Sequence, residues 1–275
     1  MLLNLNKRMI IVRILGGLGN QMFQYAYAKA LEQNGYDVKI DISKFKKYKL
    51  HGGYHLDKFN IDLSTPSFIS TFLSVSKIKK NVKEKNLLFD ENLLKLTGNE
   101  FIKGYFQTEK YFTGIRAILL DQFTLIQSIS KETNTVAKNI LSSKNSCSLH
   151  IRRGDYVSDK KANSVHGTCD LNYYKNAIQL INDTHQNITF FVFSDDISWT
   201  KENLHIENAI YVDNKTIPHE DMYLMSLCKH NITANSSFSW WGAWLNKNDN
   251  KTVIAPKNWF VNKENEVACD NWIKL

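Results

Sequence analysis

Two adjacent arginines stand between a histidine and an aspartate in His150-Ile151-Arg152-Arg153-Gly154-Asp155-Tyr156. The motif follows the short run Ser146-Cys147-Ser148-Leu149, and it reads as leaving the end of a buried strand. Guanidinium groups stay charged and match phosphate oxygens through a bidentate fork. Arg152 and Arg153 at a strand exit therefore read as a diphosphate clamp, and the plain alternative is a structural Arg–Asp pair on a loop. Asp155, beside the clamp, is a candidate general base or a brace for one of the arginines.

A second cluster, Asn235-Ser236-Ser237-Phe238-Ser239-Trp240-Trp241, sets hydroxyls at a strand-to-helix junction. Ser236 and Ser237 either cap the helix or donate to a phosphate with the help of its dipole. Trp240, Trp241 and Trp244 read as core, with one of them open to stacking on a sugar face. Asp195-Asp196 follows the apolar run 188–193 at the carboxyl edge of the sheet, where open α/β folds bind ligands. A metal could sit on such a pair, but the arginines already supply positive charge. Asp221 falls in the first turn of a helix, where a carboxylate has a plain dipole-stabilising role.

Upstream, Gly16-Gly17-Leu18-Gly19 follows a strand, and Asp41 closes the next one, which suggests dinucleotide binding. Met22 occupies the place of the third glycine and speaks against it. Asn20 and Gln21 open the helix instead, where amides can meet an anionic or sugar ligand. His166 and His219 stand alone and read as ordinary histidines. The chain has neither a G-x-S-x-G elbow nor a Walker loop.

The elements that must carry these residues alternate between strand and helix. The opening reads as strand 9–15, glycine loop, helix 20–34 and strand 36–42. The stretch 44–130 is poorly periodic, with lysine runs and an aromatic segment, 101–112, that contains Lys103-Gly104-Tyr105-Phe106-Gln107. From 146 the alternation returns: strand 146–151, helix 171–182, strand 188–193, helix 197–203, strand 209–212, helix 218–229, strand 231–234 and a Trp-rich helix. This is an α/β protein of two halves with a cleft between them. With 275 residues, 43% hydrophobic and 23% charged, the chain suits one large or two medium domains. The net charge of +8 suits an anionic ligand, and the scattered lysines argue against nucleic acid. Four dispersed cysteines indicate reduced thiols rather than zinc or disulfides. No early apolar run is long enough for a membrane span or signal peptide, so a cytoplasmic location is expected.

The four motifs beginning at Gly16, His150, Phe193 and Asn235 run in order through nearly the whole chain. With them the sequence resembles the bacterial α-1,2-fucosyltransferases, glycosyltransferase family 11. The resemblance implies a GT-B-like fold, with two Rossmann-like lobes facing a central cleft. Residues 1–140 would form the acceptor-side lobe with the glycine loop, and 141–275 the GDP-fucose-binding lobe. It implies inverting transfer from GDP-β-L-fucose to a β-galactoside acceptor, without a metal or other cofactor. Arg152 would grip the pyrophosphate, His150 and Asp221 would meet guanine, and Ser236 or Ser237 would meet phosphate. Arg153, Asp195, Asn20 and Gln21 complete the expected donor-binding set, with Arg152 and Asp155 as the catalytic candidates. The lack of an N-terminal anchor fits bacterial members that work on lipopolysaccharide or related glycans, with peripheral contact to an anionic membrane. Different acceptors or linkages, a GDP-sugar binder without catalysis, and a nicotinamide-dependent oxidoreductase are the rival readings.

Overall fold

The protein is described here from a computed structural model covering residues 9–47, 52–65, 80–154, 164, 167–213 and 217–275. The chain divides into two compact α/β units, Met1–Ile126 and Gln127–Leu275. Each is built on a parallel sheet, which is the α/β class expected from the alternation of strands and helices.

In the first unit, β1 (Met9–Arg13) buries Ile10, Ile11 and Val12, as a central strand covered on both faces must. Gly16, at φ +84°, adopts the left-handed conformation that turns the chain into α1 (Leu18–Gln33). That helix is buried along most of its length and returns the chain to β2 (Asp37–Asp41), parallel to β1. On the other side β1 pairs with β4 (Glu100–Lys103), which pairs in turn with β3 (Lys80–Lys83), so the order is β2-β1-β4-β3. Lys80 and Lys83 thus lie on an exposed edge strand, where charge discourages pairing with another chain. Helix α2 (Arg116–Gln122) follows near the end of the unit.

The second unit opens with α3 (Lys131–Ser142) and β5 (Asn145–Ile151). Then come α4 (Leu171–Thr184), β6 (Ile188–Ser194), α5 (Ile197–Asn203) and β7 (Ala209–Tyr211). After these come α6 (Pro218–Leu227), β8 (His230–Ile232), α7 (Ser237–Trp244), β9 (Val253–Ala255) and β10 (Ile273–Lys274). The sheet order is β10-β9-β8-β5-β6-β7, all parallel. Alternate residues of β6 serve opposite faces. Phe190 and Val192 join the cluster of Tyr174, Ala177 and Ile181 from α4. Phe191 and Phe193 pack with Ala137 and Ile140 of α3 and Leu224 and Met225 of α6. This packing assigns α3 to the second unit, so the division falls after Ile126 rather than at residue 140.

Strand order in the second sheet reverses between β5 and β8. The chain leaves β5 toward β6 and β7, and leaves β8 toward β9 and β10. Loops from the carboxyl ends of these two neighbours therefore run apart, opening the crevice in which such sheets bind ligands.

Candidate active site

Both sequence clusters leave this crevice. β5 and β8 are in register, Leu149 opposite Ile232, so His150 to Arg153 and Asn235 to Ser237 emerge from adjacent strand ends. Asp195 follows β6 on the other side of β5, whose Ile151 stands opposite Ser194.

Asp195 bridges both arginines. One of its oxygens meets Arg152 Nη1 at 2.9 Å, and the other accepts the backbone N–H of Arg153 at 2.9 Å. A Cβ on Gly154 would lie 2.5 Å from Asp195 Oδ2, so the glycine makes room for that carboxylate. Arg153 takes a different path from its neighbour. Its guanidinium carbon lies 3.5 Å from the ring centroid of Trp199, and its Nε is 3.9 Å from Asp196. The Trp199 stack is a cation–π contact that the sequence reading missed. Its only signal is an aromatic in the first turn of α5, which β6 carries alongside β5. Asp196 caps α5 by accepting the N–H of Trp199 at 3.0 Å.

His150 is buried at the end of β5, with its ring 5.7 Å from that of Phe238. Burial, and secondarily the charge on Arg152, lower its pKa to about 3, so the imidazole is neutral at pH 7. Its Nδ1 has no hydrogen-bond partner among the described residues. Ser236 is the N-cap of α7 and accepts from the N–H of Phe238 at 3.3 Å, while Ser237 opens the helix half-buried. Asn235 lies deeper and ties the 167–169 segment down, donating to the Gly167 carbonyl at 3.3 Å and accepting from the Cys169 thiol at 3.5 Å. Trp240, Trp241 and Trp244 are buried and pack on one another, which makes them core. Asp221 is half-buried in the first turn of α6. Its neighbour Glu220 instead accepts Ser130 N–H and Oγ at 2.8 and 2.7 Å and Thr133 Oγ at 2.5 Å, fixing α6 to α3. Asp155, the catalytic candidate next to the clamp, and His166 lie outside the described residues.

Asn20 and Gln21 belong to the first unit. Gln21 is fully buried. Its amide donates to the Gly16 and Gly53 carbonyls and accepts the N–H of His55. Gln21 therefore shapes the glycine loop rather than presenting its amide to a ligand. Asn20 accepts from Gln107 Nε2 at 2.7 Å. Asp41, the residue that suggested dinucleotide binding, is held by Arg13 Nε and Nη2 at 2.9 and 2.8 Å. Burial acts to raise its pKa, but the bonds from Ser43 and Arg13 prevail and lower it.

Among the described residues, no helix is long and apolar enough to cross a membrane. The same residues contain no group of three or more His, Cys, Asp or Glu side chains placed to share a metal ion. All four cysteines are free.

Residues 3–275 match the family described as Glycosyl transferase family 11. The chain is similar to an alpha-1,2-colitosyltransferase of Escherichia coli, with 39% identity across 97% of this chain and 98% of the relative. It is 32% identical to the O-antigen biosynthesis glycosyltransferase WbnK of Escherichia coli, over 94% of this chain and 98% of that protein. Galactoside alpha-(1,2)-fucosyltransferase 2 of Rattus norvegicus is 25% identical, over 86% of this chain and 67% of its own length.

Proposed function

We propose, from the premise that this chain belongs to glycosyl transferase family 11, that it moves L-fucose from GDP-β-L-fucose to the 2-hydroxyl of a terminal β-galactoside, with inversion and without a metal ion. The observation that carries this reading is the pair of arginines braced by Asp195 at the β5/β8 switch point. A glycosyltransferase must stabilise the charge that grows on the departing diphosphate. A fixed guanidinium does this electrostatically, because it is oriented before the reaction begins. In this reading Arg152, held in place by Asp195, donates to the β-phosphate, and Ser237 donates to the same group at the start of α7. The neutral His150 edge, with its unsatisfied Nδ1, meets a donor on the guanine ring. Asp221 accepts from the guanine on the α6 side. Asp155 is retained as the candidate base that takes the proton of the attacking hydroxyl.

A second reading has one specific support, the 39% identical alpha-1,2-colitosyltransferase. Colitose is L-fucose without its 3-hydroxyl, so GDP-colitose would suit the same diphosphate and guanine contacts. The O-antigen biosynthesis glycosyltransferase of Escherichia coli favours a role in O-antigen or related lipopolysaccharide synthesis, and we place that role at the cytoplasmic face of the membrane. The net charge of +8 suits contact with that anionic surface.

The test is GDP release from each donor with lactose as acceptor, in excess EDTA, with the product linkage read by NMR. An α-1,2-fucosyl product in EDTA is expected. Preference for GDP-colitose would move the reading to the second donor. Turnover only after adding Mg²⁺ or Mn²⁺ would overturn metal independence and make Asp195 and Asp196 the first residues to examine. GDP binding without transfer to any glycan would leave a GDP-sugar binder, and stabilisation by NAD alone would favour the oxidoreductase.

A further inference from the structure

Lys103-Gly104-Tyr105-Phe106-Gln107 has no part in the donor chemistry, yet its turn is tightly determined. It leaves the carboxyl end of β4, next to the glycine loop that leaves β1. Phe106 has φ +54°, a conformation that costs free energy for a residue with a Cβ and survives only when its surroundings enforce it. Glu84 supplies much of that enforcement. Its two carboxylate oxygens accept the N–H groups of Tyr105 and Phe106 at 2.7 and 3.0 Å. Gly104 must lack a side chain, since a Cβ there would lie 2.6 Å from both Glu84 Cβ and Phe106 Cζ. Gln24 holds the Gly104 carbonyl at 2.9 Å and also accepts the N–H of Leu15 at 2.8 Å, which joins this turn to the glycine loop. The Phe106 ring is fully buried and stacks on Tyr27 at 3.8 Å. Gln107 donates to Asn20 at 2.7 Å.

Every residue from Gly104 to Gln107 is thus anchored inward, except for the side chain of Tyr105, a residue that is 40% exposed. A strained and fully anchored backbone that leaves one aromatic ring outside, at the carboxyl edge of a parallel sheet, is built to present that ring to a ligand. The polar neighbours that anchor the turn are amides and a carboxylate, so the surroundings suit a neutral ligand with hydroxyl groups rather than a phosphate. Resting on the glycosyltransferase reading above, we propose that Tyr105 is an acceptor-binding residue whose ring stacks on the apolar face of the acceptor sugar, and that Glu84 is the positioning residue that holds it there.

The test compares the wild type with Tyr105→Phe, Tyr105→Ala and Glu84→Gln. It measures KM and kcat for lactose, GDP affinity, and saturation-transfer NMR of methyl β-galactoside with GDP present. Tyr105→Ala should raise the lactose KM at least tenfold and abolish the saturation-transfer signal, with GDP affinity within about threefold of wild type. Tyr105→Phe should keep KM within about threefold. Glu84→Gln, which sets an amide N–H₂ against a backbone N–H, should raise KM more than it lowers kcat. An unchanged KM in Tyr105→Ala would overturn the proposal, as would an equal loss of GDP and acceptor binding. If the wild type binds galactoside without turning it over, the transfer reading fails while the NMR comparison still decides the role of Tyr105. If the wild type binds no galactoside, the acceptor assignment itself is overturned.

Discussion

At the scale of single residues, the arginine cluster depends on the absence of one methyl group. Gly154 leaves room for Asp195, and Asp195 orients Arg152. A Cβ at position 154 must displace the carboxylate, because the two would otherwise stand 2.5 Å apart. The Arg152 and Asp195 side chains are each about a quarter exposed, 27% and 26%, so their pairing adds at most about 1 kcal/mol to stability. Losing the orientation of a guanidinium in a reaction site costs far more, since small misplacements reduce rate steeply. Gly154→Ala should therefore lower kcat roughly tenfold or more while Tm moves by only a few degrees. The check is steady-state kinetics beside thermal unfolding of the same preparation. A variant with normal kcat would mean that Asp195 does not set the working position of Arg152.

At the scale of elements, much of the second unit was legible because its short strands alternate with amphipathic helices and are followed by clear turn or cap residues. β5 begins one residue before its expected start, and α5 spans the expected residues. The opening strand–loop–helix–strand was equally plain, although α1 begins at Leu18 rather than Asn20. The middle resisted reading for a physical reason. Its strands have four residues each, and the segments between carry single 3-10 turns too short to show a period. What a sequence carries least is which element meets which. The Arg153–Trp199 stack follows from β5 and β6 lying side by side, and Gln21 spends its amide on a loop 32 residues away. The Glu220 clamp is of the same kind, since it joins the starts of α3 and α6 across 90 residues. Burial acts to raise the Glu220 pKa, but the bonds from Thr133 and Ser130 prevail and hold it low. Glu220→Gln would turn an amide N–H₂ toward groups that now donate. Removing that charged acceptor should cost about 1.5–3 kcal/mol in urea unfolding. A change below about 0.5 kcal/mol would show that α3 is held by its apolar face alone.

At the scale of the whole molecule, pH is expected to act on the second unit from both sides. His150 and His230 are buried, with pKa values lowered to about 3 and about 4. Burial is the main cause in each; Arg152 adds to it for His150, and His185 and Lys229 add to it for His230. The Nδ1 of His230 accepts the N–H of Thr252 at 3.1 Å and stays unprotonated while that bond stands. Below the unfolded histidine value of about 6.5, the unfolded chain takes up protons that the folded chain refuses, so stability falls as pH falls. The slope approaches about 1.4 kcal/mol per pH unit for each histidine. The alkaline side follows from the thiols. Burial raises Cys169 to about 11 and drives Cys147 and Cys228 higher still. Above the unfolded thiol value of about 8.5, the unfolded chain loses protons that the folded chain keeps, and stability falls again. A plateau between about pH 6.5 and 8.5 is the expected result, below the isoelectric point of 9.1. All six tryptophans and all four cysteines belong to the second unit, so tryptophan fluorescence in urea follows that unit alone. Lowering the pH from 6.5 to 5 should remove on the order of 2–4 kcal/mol, and His150→Phe should reduce that slope by about half. A flat profile over this interval would mean that both imidazoles reach solvent protons in the folded chain. His150 itself stays neutral in the folded chain well below the acid edge of that plateau, because burial holds its pKa at about 3.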